Sequence, residues 1–259
     1  MGIINVTPDS FSDGGKYFTK NSAVNHAISL IKDGADILDI GGESSRPGAA
    51  PISAKDELNR VLPVIKLIRK TDSAVLISID TTKSVVAKQA VEAGADIVND
   101  ISGFALDKNM PSVVSSLDVP VVLMHMKGKP ATMQKNINYT NFETSIINFF
   151  KKKCDTLNKL GHTNLILDPG FGFGKTINQN FKLINMIPEI KKINSNILVG
   201  ISRKSMIYKS IKSSPENSLN STSVLNAVCI LKGASILRVH DVKEAKEVIK
   251  MINLVKNNN

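Results

Sequence analysis

Eight short apolar runs alternating with longer stretches of helical periodicity predict an α/β chain folded as one (β/α)8 TIM barrel, a single domain over residues 1–259. The length agrees, since about 250 residues hold eight β/α units. A doubly wound parallel sheet would show the same alternation, and what stands just after each run separates the two.

The runs are "GIIN" (2–5), "ADILDI" (35–40), "AVLISID" (74–80), "ADIVND" (95–100), "VPVVLMH" (119–125), "NLILD" (164–168), "NILVGIS" (196–202) and "ASILRVH" (234–240). "GADI" occurs at 34–37 and 94–97 and is echoed by "GASI" at 233–236, where a glycine suited to ending a helix leads straight into a strand. At the run ends stand Asn5, Asp39 with Glu43 and Arg46, Asp80, Asn99 with Asp100, His125, Asp168, Ser202 with Arg203 and Lys204, and Arg238 with His240. Turns favour Asp and Asn, so one or two would carry no message. Polar groups at every run end, several inside apolar stretches where burial without a partner is costly, point instead to one common mouth.

Composition narrows the function classes. The net charge is +10, but the lysines are scattered along helical stretches, aromatic residues are 5% and Trp is absent, which disfavours nucleic acid and leaves room for an anionic small substrate. Cys154 and Cys229 lie far apart without a CxxC, so neither a disulfide framework nor a zinc site is expected, and a reducing cytoplasm is. The chain opens on "MGIINVTPDS" with no basic segment before a long apolar run, and no run of eighteen apolar residues follows, so no membrane partner is expected. The polar stretches "KSSPEN" (212–217) and "KNNN" (256–259) are too short to link domains.

"DPGFGFGKT" (168–176) ends like a phosphate-binding loop, yet Pro169 stands where that loop needs its first glycine, and "GFGFG" lacks the dinucleotide spacing. His125, in "LMHMKGKPATMQ" (123–134), has no His, Cys or carboxylate at ligand spacing, which favours a structural role over a metal site. Met124 and Met126 alternate in direction, and either could line a pocket. The glycine-bearing loops 5–15 and 41–51 are candidate lids over the mouth.

"MGIINVTPDSFSDGG", "GGESSRPGA", "ISIDTTK", "VNDISG", "MHMKGKPATMQ", "LDPGFGFGKT", "SRKS" and "RVHDV", in this order from residue 1 to about 243, resemble the successive motifs of the dihydropteroate synthase family. The resemblance implies a folate-biosynthesis enzyme that joins 6-hydroxymethyl-7,8-dihydropterin diphosphate to 4-aminobenzoate with release of diphosphate, and that is a sulfonamide target. It implies a pterin held by Asp168 and Asn99, whose carboxylate and amide suit the N–H edge of a flat ring, with Lys204 alongside. Asp80 would stabilise the cation that develops as diphosphate departs, so that Asp80, Lys204 and Arg238 form the catalytic set. Arg238 and His240 would hold the diphosphate, and Asn5 would both face it and offer one oxygen to Mg2+. Phe11, Asp13, Ser45, Arg46, Pro47, Phe173 and Ser205 would surround 4-aminobenzoate, and a homodimer through the late segments 218–234 and 242–255 is implied.

Departures from the family pattern are few. The chain starts almost on the first motif, Ser45 replaces the usual threonine before the loop arginine, and Ile137 stands where a proline is common. A pterin-binding module that passes a methyl group from methyltetrahydrofolate to a corrinoid shares the barrel and the ring grip, but has no use for "SRKS" with "RVHD" or for "SSRPGA".

Overall fold

The computed structural model describes residues 1–7, 16–44, 49–128, 132–134 and 137–258. Every predicted run contains a strand: β1 Gly2–Asn5, β2 Ile37–Gly41, β3 Leu76–Asp80, β4 Ile97–Asp100, β5 Val121–Met124, β6 Leu165–Asp168, β7 Leu198–Val199 and β8 Ile236–Leu237. Between and after them run the helices α1 Lys16–Lys32, α2 Ala54–Thr71, α3 Ser84–Glu92, α4 Met110–Leu117, α5 Phe142–Asn158, α6 Ile177–Asn185, α7 Ile187–Lys191, α8 Ser205–Tyr208, α9 Leu219–Leu231 and α10 Val242–Asn257.

Strands β1 to β6 pair in sequence order, all parallel, and β7 pairs with β8. Parallel bridges join the two sheets at both seams, Leu167 with Ile197 and Gly2 with Val239. Around them Leu167 N–H donates to Asn196 O at 2.8 Å, Ile3 N–H to Val239 O at 3.1 Å and Val239 N–H to Met1 O at 2.9 Å. The eight strands thus close into a ring. The ladder shared by β7 and β8 is only two residues long, shorter than the runs 196–202 and 234–240, but Arg238 N–H still donates to Val199 O at 2.9 Å and Val239 bridges Gly2, so the run continues past β8 with Arg238 and His240 at its end.

The repeated glycine phrase is one helix ending used three times. Gly34, Gly94 and Gly233 sit at φ +94°, +112° and +113°, where a side chain would be strained. The next residue closes the turn each time: Ala35, Ala95 and Ala234 donate to Leu30, Ala90 and Cys229, all at 2.9 Å, a Schellman ending. The residue after that steadies the neighbouring strand in two of the three, with Asp96 Oδ2 accepting from Ile77 N–H at 2.7 Å and Ser235 Oγ from Ile197 N–H at 2.9 Å.

The core has two parts. The larger lies between strands and helices, with Phe150, Phe171, Ile65, Ile79 and Leu123 wholly buried. The smaller fills the ring itself: Met1, Ile37, Ile97, Val122, Ile166 and Leu198, with Ile236 against them. This inner layer positions the chemistry. Side chains two residues apart on a strand share a face, so Asp39, Asn99, Met124, Asp168, Gly200 and Arg238, each two beyond an inner-layer residue, form the next layer toward the carboxyl mouth. Met124 is therefore the methionine that joins the inner face.

Candidate active site

Arg238 organises the mouth. Its Nε donates to Asp39 Oδ2 at 2.6 Å and its Nη2 to Asp80 Oδ2 at 2.8 Å, which ties the end of β8 to β2 and β3 past the intervening β1. Asn99 Nδ2 faces both Asp39 oxygens, at 3.3 and 3.2 Å, and this fixes the amide with Oδ1 turned away; that oxygen is buried and has no hydrogen-bond partner. An orphaned buried acceptor costs free energy until a donor arrives, so it marks where a ligand N–H is wanted.

Asp168 supplies the neighbouring acceptor. Gly170 N–H donates to its Oδ1 at 2.7 Å, while no described residue donates a hydrogen bond to its Oδ2. Gly170 adopts φ +70°, and a Cβ there would lie 1.9 Å from His125 O, so only glycine fits this turn. Lys175, buried beneath it, donates to the carbonyls of His125, Gly170 and Phe173 at 3.1, 2.8 and 3.0 Å. Thr176 caps α6 through a reciprocal pair with Gln179. The "GKT" in the sequence is thus a buried loop clamp and a helix cap.

Lys204 closes the ring of charge from the β7 side. Its Nζ donates to Phe171 O at 2.5 Å and lies 4.8 Å over the ring of Phe173. Arg203, held at φ +54°, makes a two-pronged pair with Asp241, Nε to Oδ2 at 2.9 Å and Nη2 to Oδ1 at 2.7 Å. That pair joins the loops after β7 and β8, so Lys204 and Arg238 are placed together. His240 stands exposed on the rim, its N–H donating to Ser202 Oγ at 3.3 Å, and Ser205 opens α8 in an exposed position.

Burial and charge set the protonation states. Asp80 is pushed up to about 7, first by burial and then by the negative charge of Asp39, against the pull of Arg238. Burial also raises Asp168 against the pull of Lys204, and lowers Lys204 to about 8 against the pull of Asp168. Arg238 is held above its ordinary value: burial works against its charge, but Asp39 and Asp80 outweigh it. His125 is pushed down to about 2 by burial and then by Lys175; its ring packs edge-on against Phe149 at 4.8 Å, and its backbone N–H donates to Asp168 O at 3.0 Å. It is a neutral strut between β5 and β6.

The structure brings Asp80, Asn99, Asp168, Lys204 and Arg238 to one mouth, with Phe173, Ser205 and His240 around it. Asn5 ends β1 in register with Gly41, exposed, its side chain without a hydrogen bond to a described residue. Phe11, Asp13, Ser45, Arg46 and Pro47 lie outside the described residues, as does most of each proposed lid. Sequence reasoning missed two participants. Asp39, wholly buried, stood among the run ends but was given no role, although a carboxylate inside "ADILDI" demands a cation. Lys175 reads in the sequence only as part of a phosphate-loop pattern that fails at Pro169.

A closed parallel ring whose mouth offers a carboxylate and an amide oxygen beside cations defines a barrel suited to a ligand that carries N–H donors next to a negative charge. The chain belongs to the pterin binding enzyme family, whose profile matches residues 1–240. Among curated relatives it is similar to the dihydropteroate synthase of Clostridium beijerinckii, 43% identical over 98% of this chain and 93% of that one. Among solved structures it is similar to dihydropteroate synthase from Clostridium difficile crystallised with pteroic acid, at 40% identity and TM-score 0.92 over 98% of this chain and 95% of that one. It is also similar to the Yersinia pestis dihydropteroate synthase in a sulfonamide drug complex, at 38% identity and TM-score 0.92 over 99% and 94%.

Proposed function

We propose that this chain catalyses the dihydropteroate synthase reaction, the transfer of a pterinylmethyl group from 6-hydroxymethyl-7,8-dihydropterin diphosphate to the amine of 4-aminobenzoate, and that sulfonamides compete at the arylamine site. The observation that carries it is the buried, unpartnered Asn99 Oδ1 next to Asp168, whose Oδ2 receives no hydrogen bond from a described residue, with Lys204 and Arg238 beside them at the mouth of the barrel. The pterin edge donates to these two atoms, and Met124 and Lys204 flank the ring. The amine nitrogen attacks the exocyclic methylene, the carbon–oxygen bond to diphosphate breaks, and the amine loses one proton. Asp80 stabilises positive charge on the methylene as that bond lengthens; Arg238 and His240 receive the departing diphosphate. For 4-aminobenzoate, Phe173 is the apolar wall and Ser205 the hydroxyl toward the carboxylate, joined by Phe11, Asp13, Ser45, Arg46 and Pro47 on the family resemblance.

Mg2+ is the proposed cofactor. Among the described residues no group of three His, Cys, Asp or Glu could hold a metal ion, whereas the amide of Asn5, which makes no side-chain hydrogen bond to a described residue, suits an ion that draws its other ligands from diphosphate and water. When bound, it neutralises the leaving group. Purified enzyme should form dihydropteroate with Mg2+ and lose that activity in excess chelator, recovering when Mg2+ is restored; full turnover in chelator would remove the ion from the scheme, and no dihydropteroate under any condition would remove the function. Transfer of a methyl group from methyltetrahydrofolate to a corrinoid should not occur.

The pH dependence follows from the same groups. In the free enzyme Asp80 must be ionised and Lys204 protonated, so kcat/KM should rise with pH through about 7 and fall through about 8. A Lys204→Arg variant that keeps measurable activity should lose the falling limb; an unchanged limb would assign it elsewhere.

A homodimer is proposed from exposed Val224 and Leu231 on α9 and Met251, Leu254 and Val255 on α10, helices that pack against each other. A cytoplasmic location fits two buried free thiols and the absence of any described helix long and apolar enough to cross a membrane.

A further inference from the structure

A charge cluster outside the proposed reacting groups links the chain leaving β2 to its neighbours. Lys83, in the turn after β3, ion-pairs with Glu43, two residues beyond β2, and with Glu57 on α2 at 2.5 Å. Glu57 is wholly buried, and its second oxygen, Oε1, has no hydrogen-bond partner. A second tie runs alongside, Arg60 Nη1 of α2 donating to Gly42 O at 2.8 Å. Gly42 leaves no slack in this packing, since a Cβ there would lie 2.9 Å from Val61 and 3.0 Å from Glu57. Two carboxylates on one ammonium, with one buried acceptor unsatisfied, is costly for stability alone, where well-packed apolar side chains would do as well or better. What it secures is position: three elements meet at the point from which the chain runs toward residues 45–47.

We propose that Lys83, held between Glu43 and Glu57, is a positioning residue that sets where the chain leaves β2 and thereby governs affinity for the arylamine substrate. This rests on the synthase reading above, which assigns Ser45, Arg46 and Pro47 to that substrate. Lys83 acts through the carboxylates of Glu43 and Glu57, and so on where the chain runs after Gly42.

Lys83→Met alone would strand a buried Glu57 charge, so the informative variant is the double Lys83→Met, Glu57→Gln, which keeps the volume and removes both charges. Its KM for 4-aminobenzoate should rise by about tenfold or more, with kcat and the KM for pterin diphosphate within about twofold of the parent. Lys83→Arg should retain most of the parent's 4-aminobenzoate affinity. Amide hydrogen exchange of the substrate-free enzyme gives a readout independent of activity, and Gly42, Glu43 and Ser44 should exchange faster in the double variant. An unchanged KM for 4-aminobenzoate, or equal losses for both substrates with a lowered Tm, would overturn the proposal. If the parent forms no dihydropteroate, the synthase reading falls, and exchange alone decides the anchor: faster exchange upholds it and unchanged exchange overturns it.

Discussion

Asp168→Asn should lower kcat/KM for the pterin diphosphate by a factor of about 100 or more, equivalent to a loss of about 3 kcal/mol or more of transition-state stabilisation. The substitution preserves shape. Asparagine can still accept from Gly170 N–H with its oxygen, where Asp168 Oδ1 accepts at 2.7 Å, and this places its NH2 at the position of Oδ2. A donor then faces the N–H edge of the pterin, two donors meet, and a desolvated pair is left without acceptors. The thermal midpoint should change little, because the Gly170 turn is retained. Steady-state kinetics together with pterin calorimetry would check this, and near-parental values in both would mean that another residue holds the ring.

Arg238→Met should be the most damaging substitution to fold and activity together. It leaves Asp39 wholly buried without its cation and releases Asp80, and removing one partner of a buried pair costs about 3–5 kcal/mol. It also removes the cation beside the leaving group, an effect of about 3–4 kcal/mol by analogy with single donors aimed at developing negative charge. The two losses can be separated. Adding Asp39→Asn to Arg238→Met eliminates the unpaired buried charge, so unfolding should recover toward the parent while turnover stays low. Recovery of both would show that Arg238 serves the fold only; recovery of neither would show that the pairing with Asp39 is not what the fold depends on.

The barrel was legible because each strand carries its own signal. "VVLM" at 121–124 and "LIL" at 165–167 are continuous apolar runs buried on both faces, and the glycines at 34, 94 and 233 mark helix endings whose left-handed backbone only glycine accepts cheaply. The mouth was legible in part for the same reason, since a polar residue two beyond an inner-layer one must face inward. What remained hidden depends on closure. The Arg238–Asp39 pair joins residues 199 apart in sequence, and no local pattern announces that the second and eighth strands will flank the first in one closed ring. Lys175 was hidden differently: a lysine after glycines resembles a phosphate ligand, and only the fold shows its ammonium turned onto three carbonyl oxygens of its own loop and of the β5 end. The Glu43–Lys83–Glu57 cluster needed α2 docked beside β2 and β3 before its members could meet.

The central claim is that one mouth holds the pterin, supports cleavage of its diphosphate and delivers the methylene to an arylamine. Its most direct measurement is diphosphate release from 6-hydroxymethyl-7,8-dihydropterin diphosphate, followed beside dihydropteroate formation in the presence and absence of 4-aminobenzoate. The account predicts one diphosphate for each dihydropteroate when the arylamine is present, and little release of either when it is withheld. Diphosphate release at the same rate without 4-aminobenzoate, or pterin binding with no release in its presence, would contradict it.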